Sequence, residues 1–453
     1  LDFEIRRVLD SDFSPNLYGY TGQFKIGDKV VDVMRITDID EESDYELNYG
    51  AVMTCRIVMP LGDYTTEIFP AKGNLEFILK TEKVNYKTLE ASDQEDSIDI
   101  KVFNVSLHPD VRPFMSEDNN AENSSKDTQN LMSLVEVDLQ LKPKLIDDIS
   151  KITVGGHFLE TSNADLLRNL LMFYCNDLEL DDDLKLVGVN MHATASEKVF
   201  DSIVVDHGTL LADLADYLQL KCGGVFPSGM AQFIHNRVWY LYPPYDTTGF
   251  DEAQRKIVII SVPAKRYPQV EKTFLEENGI VTILATGNKK IISDKSQIQD
   301  NAGNGVMFAD ANQMVAGFSD VKGNVAVAKR GKNNSEFVGE KMDTGKNNVR
   351  MSPEGITANP FVATSRLARS QGHFFMVEWE NADPELIEPG INVKIMYLNE
   401  GEVKEITGVL IKCHRQTKMN GQGMLATGYR SFCVLVVFVK AGEGEDSGLL
   451  GLE

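Results

Sequence analysis

Few residues in this chain could do chemistry, and their spacing decides between the readings. The stretch RVWYLYPPYDT, residues 237–247, gathers Trp239, Tyr240, Tyr242 and Tyr245 around the pair Pro243-Pro244. Such a run suits the wall of a ligand pocket, a stacking platform for bases, or a strand that stops at a turn. Phe233, His235, Arg237, Trp239 and Leu241 alternate with Ile234, Val238 and Tyr240. That is the period of a single strand. Proline has no N–H to give a ladder, so Pro243 ends it. The reading is a buried strand whose aromatics pack in the core or against a neighbouring subunit.

The other candidates fail on spacing. Asp206 and His207 stand side by side in VVDHG, but neighbours on a strand point apart and no GxSxG elbow accompanies them. Asp206 is instead expected to cap the entry to a helix. GEKMDTGKN has one residue too many between Gly339 and Gly345 for a phosphate-binding loop, and Asn347 stands where a hydroxyl is needed. None of the seven histidines lies in HExxH. The acidic runs DIDEESD (38–44) and LELDDDL (178–184) lack the glycine and glutamate of a calcium loop and read as solvated turns. The three Asn-x-Ser sites, at Asn104, Asn123 and Asn333, carry no weight without a secretory context. Cys55, Cys175, Cys222, Cys413 and Cys433 are odd in number and widely spaced, which predicts free thiols rather than a zinc ribbon or disulfide framework. No catalytic, cofactor-binding or metal-binding constellation is expected.

Charge narrows the partners. Lys plus Arg is 45 against 68 Asp plus Glu, a net charge of −23. A field of that sign repels a phosphate backbone, so sequence-specific nucleic-acid binding is not expected. No apolar stretch approaches a membrane span, and the opening LDFEIRRVLD has no apolar core of a secretory signal.

The elements change period along the chain. Strand patterns cover 51–59, 74–84, 96–108 and 131–141, with Ile98, Ile100, Val102 and Val105 near one face. Residues 116–130 are polar and read as a loop. Helical spacing follows in 161–175, opened by Ser162 and Asp165 as a capping box, and again in 208–224, closed by Gly223-Gly224. Further strands are expected at 255–266 and 279–286. A Gly- and Asn-rich excursion with two GKNN copies runs over 287–358 and is expected to be weakly structured. A short helix at 361–372 leads to strands at 373–380 and 391–398. Two long strands around MNGQG fill 403–441.

This layout resembles the central baseplate hub proteins of contractile-tailed bacteriophages. The resemblance rests on YTGQFKIGDKVVDV with EIFPAKGNLEFILKTEKV, on the helix-then-strand segment from VDHGTLL to VWYLYPP, and on the closing hairpin ITGVLIKCHRQTKMNGQGMLATGYRSFCVLVVFV. It covers about half the chain. It implies an α+β, β-rich fold with two tail-tube-like antiparallel β-barrel or sandwich domains and a helix-containing middle region. The first tube-like domain would span 1–142 and the middle domain 143–200. The second would be built from 201–250 and 359–441, with 251–358 inserted and 442–453 a flexible acidic tail. It further implies a non-enzymatic homotrimer in the virion, assembled in the host cytoplasm. That hub ring would join a sixfold tail tube to a threefold central spike, beside other baseplate proteins, with DNA passing an acidic lumen. Other tail or injection-machine adaptors share these features. A cell-wall-directed hydrolase would need Asp206 and His207, and a sugar- or peptide-binding module would use Trp239, Tyr240, Tyr242 and Tyr245.

Overall fold

The computed structural model describes residues 1–11, 17–84, 98–113, 134–262, 273–285, 289–292 and 372–399, together with 402–419 and 428–440. It also describes the strands within 307–353 and residues 361, 365, 368 and 369. The expected loop at 116–130, the MNGQG turn beyond Met419, the tail 442–453 and most of the helix expected at 361–372 lie outside them. A first helix, α1 (Asp2–Leu9), buries Ile5 and Val8 against Ile260, Val262 and Leu284.

Seven strands follow: β1 (Leu17–Ile26), β2 (Lys29–Asp32), β3 (Arg35–Asp44), β4 (Val52–Pro60), β5 (Glu76–Val84), β6 (Ile98–Pro113) and β7 (Leu134–Pro143). The acidic run 38–44, expected as a turn, is the body of β3. Asp38, Asp40, Glu42 and Asp44 alternate on one face while Ile39 and Ser43 are buried on the other beside Glu41, so strand pairing outweighs the cost of like charges in a row. The face expected for β6 also needs correcting. Phe103 and Val105 are buried in the core, whereas Ile98 and Ile100 are 46% and 56% exposed. The second run, 178–184, does form solvent-exposed turns.

The middle of the chain holds α2 (Lys144–Ile149), β8 (Thr153–Ser162), α3 (Asn163–Asn176), β9 (Gly188–Met191), β10 (Val199–Leu210) and α4 (Leu214–Lys221). The capping box forms as expected. Asp165 N–H donates to Ser162 Oγ at 3.0 Å, and that hydroxyl reaches the Asp165 carboxylate at 2.7 Å. The Gly223-Gly224 stop also forms: both have positive φ, and Gly224 N–H closes on Leu218 C=O at 3.1 Å. The expected helix over 208–224 starts late, because 208–210 continue β10, whose ladder to β8 runs on to Leu210–Thr153. β11 (Ala231–His235) and β12 (Val238–Tyr242) form a hairpin, not one strand. Asn236 and Arg237 both take positive φ, at 47° and 63°, the two-residue turn that matches strand twist.

After the middle come β13 (Lys256–Ser261), β14 (Phe274–Glu277), β15 (Ile280–Ala285) and β16 (Lys289–Ile292). Next are β17 (Met307–Asp310), β18 (Asp320–Lys322), β19 (Val325–Arg330), β20 (Ser335–Lys341) and β21 (Asn348–Pro353). The last four are β22 (Gly372–Trp379), β23 (Asn392–Asn399), β24 (Glu402–Met419) and β25 (Tyr429–Lys440). The excursion expected to be weakly structured carries an antiparallel sheet in the order β17-β21-β20-β19-β18. The first GKNN copy, 331–334, and residues 345–347 of the second lie outside the described residues, and Asn348 opens β21. β13 to β16, placed by the sequence reading in the inserted region, belong to the large sheet instead. The Val/Ile runs of β13 and its parallel neighbour β15 are largely buried there.

The closing hairpin organises the chain. β3, β4, β7, β6, β5 and β1 pair in sequence, and the ring closes through β25 and the distal half of β24. This is an eight-stranded barrel whose last two strands come from the other end of the chain. The proximal halves of β24 and β25 enter a second curled sheet, ordered β14-β15-β13-β23-β24-β25-β22-β16. A register shift between Leu410 and Lys412 marks the handover. The second sheet is not wholly antiparallel, since β13 runs parallel to both β15 and β23. The β-rich, two-barrel class with helices between the barrels therefore holds, with mixed pairing in the second.

One glycine makes the hairpin possible. A Cβ at Gly408 would lie 2.3 Å from the Phe438 carbonyl oxygen across the ladder. Gly408→Ala must push β24 from β25 where both barrels depend on them. A loss of about 1–3 kcal/mol is expected by thermal denaturation, against almost none for Gly188→Ala, which has open space and no positive φ.

Candidate functional site: a cleft where three cores meet

The aromatic run lies between two cores rather than around a pocket. β12 alternates: Trp239 and Leu241 enter the helical middle core, while Tyr242 enters the second barrel and Tyr240 packs against it. β11 does the same with Ile234 on one side and Ala231 and Phe233 on the other. The hairpin is thus a shared wall. The Trp239 indole N–H donates to Gln232 Oε1 at 3.2 Å, and Gln232 Nε2 donates to Ala212 C=O at 2.7 Å. Tyr242 OH donates to Tyr45 C=O at 3.1 Å, and Tyr245 OH donates to the Glu46 carboxylate. Trp239, Tyr242 and Tyr245 are buried within the chain and Tyr240 is half-buried, so none offers an open stacking face.

Asp206 and His207 sit on an irregular stretch of β10, between the Val205 and Thr209 pairings. Asp206 caps no helix. Its backbone N–H donates to Tyr217 Oη at 3.3 Å and its carbonyl accepts from Thr209 Oγ1 at 2.8 Å. No side-chain hydrogen bond joins the two residues among those described. The phosphate-loop-like segment falls partly in β20 and partly outside the described residues. Among the described residues no cluster of His, Cys, Asp and Glu could hold a metal ion. Cys55, Cys175, Cys413 and Cys433 are buried free thiols and Cys222 is half-buried. Burial pushes the Cys175 thiol up to about 12, which makes it a poor nucleophile.

The concave feature that the sequence reading missed is a cleft of about 720 Å³ between the first barrel, the middle core and the second barrel. Its polar floor is a charge cluster around Arg415, only 8% exposed. The guanidinium donates to Tyr20 Oη at 2.5 Å, Thr417 Oγ1 at 3.1 Å, Glu385 Oε1 at 3.3 Å and Glu41 Oε2 at 3.4 Å. Lys101 Nζ stands 3.8 Å from Glu385 Oε1 and 3.3 Å from Asp99 Oδ2. Tyr18 OH donates to Asp383 Oδ1 at 2.8 Å, and burial with that carboxylate raises the phenol. Burial alone would raise the Glu385 carboxyl. Lys101 first and then Arg415 outweigh it and hold the group at about 2.

At the rim of this floor lies His235, whose Nε2 is buried with no hydrogen-bond partner. Burial first, then Lys101, lowers its basicity. The α2 helix forms one side of the cleft. It is anchored by Asp147, which accepts from Lys151 Nζ at 2.7 Å and from Lys142 Nζ and Asn104 Nδ2 at 2.8 Å. The cluster joins residues from 18 to 415, so no local motif could announce it. One signal was present: in KCHRQTK the inward positions are Cys413, Arg415 and Thr417, and polar residues at core-facing positions mark a functional or organising interior.

No protein-family model matches the chain, and no curated protein matches it. Solved structures do. The 43 kDa tail protein of prophage MuSo2 from Shewanella oneidensis matches 92% of this chain and 98% of its own, at 11% identity and a TM-score of 0.44. A tail protein from Neisseria meningitidis MC58 matches over 95% and 97%, at 10% identity and a TM-score of 0.42. The c3393 protein of E. coli, a component of the type VI secretion system, matches over 93% and 77%, at 7% identity and a TM-score of 0.41.

Proposed function

We propose that this chain is a structural, non-enzymatic component of a phage tail baseplate. In this reading it is a hub ring that adapts a sixfold tail tube to a threefold central spike. The observation that carries it is the shared hairpin. One chain builds two barrels on the same pair of strands, β24 and β25, so their spacing and orientation are set within the chain. A cyclic trimer of such a chain offers twice as many barrels as subunits, which is what a six-to-three adaptor requires. The resemblance of the sequence to central baseplate hubs supports the same reading. So does a net charge of −23, which keeps a ring lumen from holding DNA.

The partners in this reading are two further copies of the chain, the tail tube protein, the spike and other baseplate proteins. Light scattering of the purified chain should give three times its 50.4 kDa mass across a concentration range. A monomer that stays monomeric when mixed with purified tube protein would sink the hub reading. Among the described residues no helix is long and apolar enough to cross a membrane.

A further inference from the structure

β6 is only half paired along its length. On one side Ile98 to Phe103 run along β5, from the Glu82–Ile98 pair to the Phe77–Phe103 pair. On the other side pairing with β7 begins only at Phe103, opposite Pro143. There the chain turns away into α2, because Pro143 is the N-cap of that helix. Along Ile98–Val102 no described strand covers the second edge. Alternate residues of an antiparallel strand direct their N–H and C=O groups to that side, so the edge is a template for another strand. It lines the cleft described above.

Two independent features lie along the same edge. Outward, Ile98 and Ile100 are exposed β-branched side chains. Inward, Lys101 stands 3.3 Å and 3.8 Å from its carboxylates, and the nearby Nε2 of His235 has no hydrogen-bond partner among the described residues. An unpaired buried ring nitrogen costs free energy that a ligand group would recover. We propose that the Ile98–Val102 edge and His235 form a docking site for one extended peptide segment of another protein, which adds to β6 as a strand. Its apolar side chains lie against Ile98 and Ile100, and an uncharged polar side chain reaches His235 and Lys101.

The chemistry of the cleft selects this occupant. Arg415 and Lys101 already have carboxylate partners in Glu41, Glu385 and Asp99, so a charged side chain would find no unpaired opposite charge among the described residues there. Ile146 of α2 and Phe233 of β11 line the same cleft, so a strand added there faces protein walls rather than open solvent. A lone strand enters, which argues for a tail or loop of a partner over the sheet edge of a second copy. The proposal stands apart from the hub reading, since it requires no trimer.

The test pans the full chain against a displayed library of random linear peptides and synthesises the enriched ones. Enriched peptides should alternate apolar and polar residues, slow amide exchange across 98–102, and lose about tenfold or more in affinity for Ile100→Lys. His235→Phe should weaken only peptides carrying the polar residue. Ile100→Lys alters an exposed side chain, and an unchanged melting temperature would show that the fold persists. Peptides without alternation, peptides that bind Ile100→Lys equally well, or no enrichment at all would overturn the site. Slow exchange at 98–102 that appears only as the chain self-associates would assign the edge to a second copy and overturn the partner.

Discussion

Trp239→Ala should cost about 3–5 kcal/mol, as removal of a fully enclosed large aromatic does elsewhere. The indole is 0% exposed and sits among Leu166, Leu171, Leu214 and Leu218 in the middle core. Its removal leaves a cavity that helices held at both ends cannot fill by collapse. It also strips Gln232 Oε1 of its donor in a buried place. Trp239→Phe keeps most of the volume and loses the hydrogen bond, so it should cost about 1–2 kcal/mol. The position of β12 makes a further claim. The same strand presents Tyr240 and Tyr242 to the second barrel, so loosening should cross the wall. Amide exchange should accelerate in 163–176 and 214–221, then in 256–261, and least in 52–60. Acceleration confined to α3 and α4 would show that the two cores are insulated, and β12 would be a boundary rather than a link.

How much of this was legible in the sequence depends on distance along the chain. Capping at Ser162 and the Gly223-Gly224 stop were readable because both rest on side chains and dihedrals within a few residues. The long final strands were readable from their Val/Ile/Phe runs. The Asn236-Arg237 turn was not. Asn is a good residue for positive φ but Arg is not, and the alternation of apolar residues continued across the turn. β3 was hidden by its carboxylates, because a strand needs only its inward half to be apolar. The split use of β24 left a weak mark, Gly408 just ahead of the register shift, and nothing local says that one strand serves two barrels. The Arg415 cluster was the least legible. Its members, Tyr20, Glu41, Lys101, Glu385 and Arg415, are brought together only when both barrels close.

That cluster makes the second large prediction. Arg415→Met keeps the apolar stem and removes the charge, which leaves Glu41, Glu385 and Tyr20 Oη without their shared donor. Breaking one partner from a buried ion cluster costs about 3–5 kcal/mol near neutral pH. The dependence on pH separates this cause from lost packing. In the wild type the Glu385 carboxyl is held at about 2, below the 4.5 of a free glutamate. A depressed folded-state value stabilises the fold above the unfolded value, and the contribution, about 3 kcal/mol, is lost as pH falls from 4.5 through 2. Without Arg415 the largest remaining opposition to the desolvation of that carboxylate is Lys101, so its value rises and protonation relieves the variant. Urea denaturation should therefore show the two proteins converging as the pH is lowered from about 7 to about 3. Glu385→Gln should recover part of the loss in the Arg415→Met background and destabilise the wild type. A gap that stays constant across that range would mean that Arg415 acts through its stem and the polar floor organises nothing. Convergence would establish that the two barrels are locked by charges contributed from β3, β6, β24 and the segment after β22, with the Tyr20 hydroxyl of β1 as a further acceptor. The cleft walls would then move only when those charges do.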